Sequence, residues 1–472
     1  MKNLALFLVI FGTSCQLFSQ SWVQVGNFNF PPRRLFSDTV GDNLYIGGNF
    51  KWTGTDTVNG ICFWDGTQLH AMATGICGMG GNSCNPILMI NRYRDNIYVG
   101  AAIKSVGGIP ASGIVTWDGQ NWNTVGDNSL FVDSISNSWV LSTYVHNDKL
   151  YTVGFFRTAG GDTCNSVAVW DDVNWKGLDF PPRPPNNEPA FINAVQYYKD
   201  ELYVGGNTEN FIDGNFNMDI ARYDGTKWKQ VGEGLYGGFA DVTDMVVYKD
   251  ELYVCGYFKK IDDNVGNKIM RWNGEQWLEV GAGFCSASAI PTDMMVHDGK
   301  LYIVGSFQCV NNNFPVSNIA VWDGIRWCSF GNSTFNNKIN CIAAYKSEIY
   351  VGGGFTEVDG QPCRYFAKWV GDHATDTCSA LVSDAPEISG NRGEFRLWPN
   401  PVGEELHIES AGSIERVQIF DCTGKVVKNA IQTISGTKEE SFTVDTRLLT
   451  SGLYYVTFQS SGRTHSGKFV KI

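Results

Sequence analysis

Six histidines and many loop carboxylates are the groups with which this 472-residue chain could do chemistry. No histidine falls into a His-x-Glu-x-x-His or similar ligand spacing, and no Cys-x-x-Cys occurs. His146 and His297 stand five residues before a recurring Tyr, where other copies of the same repeat carry Val40, Tyr93, Tyr198, Tyr248 and Tyr345. They therefore read as strand-end residues. His407 and His465 lie in a separate C-terminal segment, and His70 and His373 stand alone. A nucleophilic Ser needs a His positioned beside it, and no Gly-x-Ser-x-Gly elbow marks one. The acids of Asp213-Gly214-Asn215, Asp262-Asp263-Asn264 and Asp359-Gly360 sit among turn formers and match no spaced calcium loop. Paired carboxylates for glycoside hydrolysis cannot be picked from so many loop acids. No catalytic residue, metal ligand or cofactor is assigned on this basis.

These groups are carried by a segment of about fifty residues that recurs seven times. Tyr45, Tyr98, Tyr151, Tyr203, Tyr253, Tyr302 and Tyr350 are each followed 19 or 20 positions later by an aromatic: Trp64, Trp117, Trp170, Tyr223, Trp272, Trp322 and Trp369. In five copies a second Trp follows, at 122, 175, 228, 277 and 327. Units of this length cannot bury their own apolar faces and must stack. In the fourth copy Phe191 to Tyr198, Glu201 to Gly206, Asp219 to Tyr223 and Lys227 to Val231 read as strands a to d of one blade. Asp-Gly or Asn-Gly between c and d, in five copies, suits a tight hairpin with positive φ. Three residues beyond each Tyr stands Gly, or Ala101 in the second copy, which suggests close backbone approach. The aromatics are expected to pack between blades.

The seventh copy ends at Trp369 without its own d strand, whereas Ser21-Trp22-Val23-Gln24-Val25-Gly26 supplies the missing phrase. The fold expected is all-β: a seven-bladed β-propeller closed by the N-terminal strand, followed by a small Ig-like β-sandwich. The blades resemble kelch-type repeats and bacterial repeats of the form Leu-Tyr-Val-Gly-Gly-x-Phe with Ile-Ala-x-Trp-Asp-Gly. That likeness covers about residues 21 to 371 and implies fold, not activity.

Residues 1–20, with Lys2 and an apolar run from Leu4 to Phe11, read as a secretory signal peptide cleaved near Ser19 or Gln20. A lipoprotein reading at Cys15 is the alternative, disfavoured by Gly12 where such motifs carry Leu. No other stretch is long and apolar enough to span a bilayer. Of 13 Cys, 12 follow the leader, and export permits disulfides. Cys77 and Cys84 are assigned as a local bridge; with eleven Cys between 21 and 394, one thiol stays free unless it pairs with Cys422. The formal charge is −12, of which residues 395–472 carry +1 and the leader +1, so the middle carries −14. Such a surface repels phosphate backbones, and nucleic acid is not an expected partner.

The expected domains are the leader, a propeller over 21–378, a polar linker over 379–394 and a C-terminal domain over 395–472. In the last, Trp-Pro399-Asn400-Pro401, then Asp421-Cys-Thr-Gly424-Lys425, then Ser-Gly452-Leu-Tyr454 follow one another. These residues resemble the type A sorting domain of the bacterial type IX secretion system, with Cys422 at a usually aliphatic position. The resemblance implies recognition by that machinery and delivery through the outer membrane. The connections 70–86, 127–139 and 179–191, the third stiffened by five prolines, share one face with the b–c loops. Asp179, Arg183, Asp213, Asp262 and Asp359 are the candidate binding residues on it. The functional expectation is a non-catalytic surface or secreted protein that binds a protein or glycan. The alternatives are a secreted polysaccharide- or peptide-degrading enzyme, marked by clustered acids at the propeller axis, and a structural surface-layer component.

Overall fold

A computed structural model describes residues 21–472 except 77–85, 127–137, 236–240, 259–265, 372–377, 380–394, 411–413, 422–425, 431–440, 461–462 and positions 55, 186, 209, 213, 214 and 218. The expected leader, Cys77, Cys84, Asp213, Asp262, His373, Cys422, Gly424 and Lys425 lie outside the described residues. The chain divides into two compact units, Met1–Ser379 and Ala380–Ile472.

In the first unit the alternation of apolar residues at the repeat's strands produces seven four-stranded antiparallel sheets among the described residues. Sheet four is typical: Phe191–Tyr198, Glu201–Asn207, Ile220–Tyr223 and Trp228–Gln230 pair in sequence order. Sheet seven departs from that order. Its a, b and c strands, Ile339–Tyr345, Glu348–Gly353 and Phe366–Val370, are joined at the outer edge by Ser21–Gln24, with Trp22 opposite Trp369.

The repeat's aromatics do their work between sheets. The indole Nε1 of Trp170 donates to Tyr98 Oη of the preceding sheet at 3.2 Å, and Trp64 of sheet one donates likewise to Tyr350 of sheet seven. In four of the five copies the second Trp reaches back to a carbonyl of the preceding sheet: Trp122 to Met72, Trp228 to Leu178, Trp277 to Val231 and Trp327 to Val280. Trp22 repeats the pattern by donating to Ser333 Oγ at 2.8 Å. The strand-end Tyr93, Tyr198, Tyr248 and Tyr345 donate forward to the a–b turn of the next sheet, the last of them to Asp42 of sheet one. Accordingly the buried apolar residues gather in clusters between consecutive sheets, and one of these places Cys341, Tyr350 and Phe366 of sheet seven against Leu35, Leu44 and Phe50 of sheet one.

The glycines closing strand b have a common cause. In six sheets strand a carries a bulge, for instance between Val140 and Ser142 and between Ile192 and Ala194. The bulge presses a carbonyl onto the partner strand: a Cβ on Gly154 would lie 1.9 Å from Trp139 O, and on Gly206 2.1 Å from Phe191 O. Sheet two pairs Met89–Tyr93 with Asn96–Gly100 in unbroken register, and it is the sheet that accepts Ala101. The c–d turns are longer than a tight hairpin. Four residues separate the paired Trp64 and Leu69, and Asp65 Oδ1 accepts the amides of Thr67 and Gln68 while Gly66 takes a φ of +101°. The b–c connections also differ from plain loops: six of the seven contain a short two-stranded hairpin among the described residues, such as Glu357–Val358 with Gln361–Pro362.

The second unit has a three-stranded sheet, Phe395–Trp398, Glu405–Ser410 and Ser441–Asp445. Its four-stranded sheet consists of Ile414–Asp421, Val426–Ala430, Gly452–Ser460 and Arg463–Lys471. The core between them contains Leu406, Ile408, Val417, Ile419, Val456, Phe458 and Phe469. No helix long and apolar enough to cross a membrane occurs among the described residues.

Candidate functional site

Among the described residues of the first unit, two places gather groups that could act on another molecule. One is built by the a strands. The residues that follow the bulges, Arg34 of sheet one, Asp244 of sheet five, Asp293 of sheet six and Cys341 of sheet seven, lie close enough to perturb one another. Arg34 Nη1 is 3.3 Å from Asp293 Oδ1, and their side chains keep 34% and 10% of their surface accessible. Burial opposes the charge of Arg34, and Asp293 with Asp244 more than offsets it. Burial and the neighbouring Asp293 push the Asp244 carboxyl up to about 7, although Arg34 and the Met294 amide pull the other way. Burial also raises Asp293, against Arg34 and the Ile342 amide. Both carboxyls therefore favour the protonated form more than a free Asp does.

Both acids have a structural task. Asp244 Oδ2 accepts the Met294 amide at 2.7 Å, and Asp293 Oδ2 accepts the Ile342 amide at 2.9 Å, so each carboxylate ties its own sheet to the next. The bulge residues beside them do the same: Thr243 Oγ1 donates to Pro291 O, Thr292 Oγ1 to Ile339 O, and Asn340 Nδ2 to Pro32 O. The raised carboxyls hold in the folded protein a proton that the unfolded chain releases near pH 4, so stability is expected to fall as pH rises from about 4 to about 7. Asp244→Asn keeps an acceptor for the Met294 amide and a donor toward Asp293 without the charge. It should raise stability above pH 7 by on the order of 2 kcal/mol and flatten that pH dependence. Urea unfolding at pH 5 and pH 8 checks this; a variant less stable at pH 8 would contradict it.

The second place is a groove of about 560 Å³. Its walls are the hairpins Cys309–Val310 with Phe314–Pro315 and Glu357–Val358 with Gln361–Pro362, and its floor is the connection around residues 329–336. Gln308, Ser317, Ser333, Asn336, Phe335 and Glu357 are among the lining residues, so a single carboxylate stands amid neutral hydrogen-bonding groups. The floor is tightly held: Ser317 Oγ accepts the Phe335 amide, and Asn336 Oδ1 accepts the amides of Thr356 and Glu357. Such a volume suits a small polar ligand or a short stretch of chain.

Of the five acids and bases expected on the loop face, Asp359 borders this groove, where its Oδ1 accepts the Thr334 amide at 2.6 Å and fixes the floor loop. Asp179 is exposed in the left-handed region, at a φ of +48°. Arg183 bridges Glu188 across its own loop, and its charge reaches Asp241. Asp241, which sequence reasoning missed, accepts from Asn193 Nδ2 at 2.6 Å, and burial raises its carboxyl to about 6. His70 rests on Asp65 at 2.7 Å and stacks on Phe63; His146 stacks on Tyr197. Among the described residues Asp323, Cys328 and Cys378 lie within metal-binding distance of one another, but the two thiols are joined as a disulfide. That bridge and a hydrogen bond from the Ser379 amide to Trp327 O pin the end of the first unit to the outer strand of sheet six.

In the second unit Asn400 ties the Pro-Asn-Pro turn to the last strand: its Oδ1 accepts the Val470 amide at 2.9 Å. Tyr454 is buried and donates to Thr450 O at 2.9 Å. Residues 396–472 match the secretion system C-terminal sorting domain. This sorting domain signals export by the type IX system to the cell surface or beyond.

No curated protein matches the chain. Among solved structures, PorZ, an essential surface component of the type IX secretion system of Porphyromonas gingivalis, is 13% identical with a TM-score of 0.40, over 91% of this chain and 64% of that one. This chain thus spans under two thirds of PorZ's length. A protein of unknown function from Bacteroides thetaiotaomicron is 11% identical with a TM-score of 0.33, over 72% of this chain and 98% of its own. An α-L-arabinofuranosidase from Clostridium thermocellum is 15% identical with a TM-score of 0.25, over 52% of this chain and 89% of its own. Likenesses of this size carry no conclusion about chemistry.

Proposed function

We propose that residues 21–378 form a seven-bladed, kelch-like propeller closed by the strand Ser21–Gln24, and that it serves outside the cell as a non-catalytic recognition module. The observation that carries this reading is the groove between the hairpins of sheets six and seven, with its hydrogen-bonded floor and its neutral polar groups set among apolar ones. Hydroxyl and amide groups set in a largely apolar lining suit a glycan or the main chain of a protein, both of which exchange neutral hydrogen bonds. Asp244 and Asp293 fit a structural role because each is committed to an amide of the next sheet.

The test is a screen of the mature protein against a glycan panel and surface proteins, followed by replacement of two exposed groove residues, Gln308→Ala with Glu357→Ala. Binding is expected to weaken at least about tenfold, near 1.4 kcal/mol, with an unchanged melting temperature. Full binding by this variant would remove the groove from the reading. The enzyme alternative has one observation in its favour, two neighbouring carboxyls, Asp244 and Asp293, that burial pushes up. Turnover of a screened glycan or peptide that Asp244→Asn abolishes would establish it.

A further inference from the structure

One hairpin beside the groove carries a thiol, Cys309, that faces a second thiol, Cys285, on the connection after sheet five. Phe284 bridges Val310 in antiparallel sense, the Asn311 amide donates to Gly283 O at 2.9 Å, and the Cys285 amide donates to Cys309 O at 3.3 Å. This register sets Cys285 directly opposite Cys309. Opposed residues on antiparallel strands have Cα atoms about 4.5–5.5 Å apart, inside the span of about 4.4–6.8 Å that a disulfide bridges. The two also differ from the other free thiols: Cys62, Cys164, Cys255, Cys341 and Cys363 are buried, whereas Cys285 and Cys309 are partly accessible.

We infer that Cys285 and Cys309 form a second disulfide in the exported protein, clamping the hairpin Cys309–Pro315 to the connection that follows sheet five. The inference rests on this pairing and on export, and it stands whether or not the groove binds a ligand. The Asn313 amide donates to Cys285 Sγ at 3.1 Å and leaves that sulfur in contact with the hairpin. Burial and the adjacent Cys285 hold the Cys309 thiol up, to about 11, so Cys285 is the attacking sulfur. Its thiolate attacks one sulfur of an oxidised dithiol donor, a periplasmic thiol–disulfide oxidoreductase or oxidised glutathione, and expels the other sulfur as a thiolate. Cys309 then loses its proton and attacks Cys285 Sγ, releasing the donor's remaining thiolate. Two thiols are oxidised, two electrons pass to the donor disulfide, and the donor leaves as a dithiol carrying the two protons.

The full-length protein, collected after export, is denatured in the presence of a thiol label, digested without reduction and analysed by mass spectrometry. A linked peptide pair containing Cys285 and Cys309 is expected, alongside the Cys328–Cys378 pair as a control for oxidation, with label on the five buried thiols. Label on both Cys285 and Cys309 while Cys328–Cys378 is linked would overturn the inference, as would a link from either residue to any other cysteine. In the double variant Cys285→Ser with Cys309→Ser, reduction should release two fewer thiols than in the parent, and proteases should cut the hairpin faster. An unchanged count of released thiols would again overturn it.

Discussion

Removal of residues 395–472 is expected to leave the first unit folded and to abolish its appearance outside the cell. The two parts of that result have separate causes. Stability of the first unit comes from its own buried clusters, which lie between consecutive sheets and involve residues between Trp22 and Cys378 only. Ser379, whose amide donates to Trp327 O, lies before the cut, so the sheets stay intact. Export beyond the outer membrane depends on the sorting domain, whose own core is separate. Fractionation of cells expressing the truncated chain should show nearly all of it in the periplasm, protease-resistant and with the circular dichroism of a β protein. Equal surface display with and without the domain would overturn its role. A milder lesion, Asn400→Ala, removes the acceptor that holds Val470 and should lower the sorting domain's own melting temperature.

The contrast between what the sequence disclosed and what it hid follows from periodicity. Tyr45 to Tyr350 and Trp64 to Trp369 recur because every sheet must solve the same packing problem against the one before it, and seven repetitions average out local noise. Even the displaced strand at Trp22 was legible, since it completes a phrase that sheet seven lacks. The cluster of Arg34, Asp244, Asp293 and Cys341 was not, because the position after the bulge is filled by Arg34, Ser142, Ala194, Asp244, Asp293 and Cys341 in different sheets. No residue type repeats enough there to mark it, and Arg34 meets Asp293 across 259 positions.

The groove escaped for a related reason. Sequence pointed to the long connections 70–86, 127–139 and 179–191, whereas the groove is built from short hairpins that look like ordinary turns in one dimension. Asp359 was the one candidate on its border, and its carboxylate holds the floor loop. The disulfide between Cys328 and Cys378 was equally unreadable, because twelve cysteines beyond the leader allow many pairings. Cys77 and Cys84, paired by nearness in sequence, lie outside the described residues. Nearness in sheet register, which joins Cys328 to Cys378 and faces Cys285 with Cys309, becomes available only once the strands are placed.

Trp22→Ala is expected to be the most damaging single substitution in the first unit. Trp22 is 8% exposed although it sits on an edge strand of four residues. Its ring lies 5.3 Å from Phe330, 5.2 Å from Phe335 and 5.4 Å from Trp369, so one side chain fills the space where sheets six and seven meet. Its Nε1 donor also satisfies Ser333 Oγ in the loop that floors the groove. Truncation leaves a cavity and removes that bond, and large aromatic-to-Ala changes in a core cost about 3–5 kcal/mol. Collapse cannot recover much of this, because the neighbouring rings are held by strands on both sides. The edge of sheet seven would be loosened as well, since Ser21–Gln24 is its fourth strand. Trp52, 37% exposed on a b–c hairpin, provides the comparison: Trp52→Ala should cost under about 1 kcal/mol. Denaturant unfolding of the two variants measures the difference. Equal stabilities would mean that the N-terminal strand contributes little to holding sheet seven, and the proposed closure would have to be abandoned.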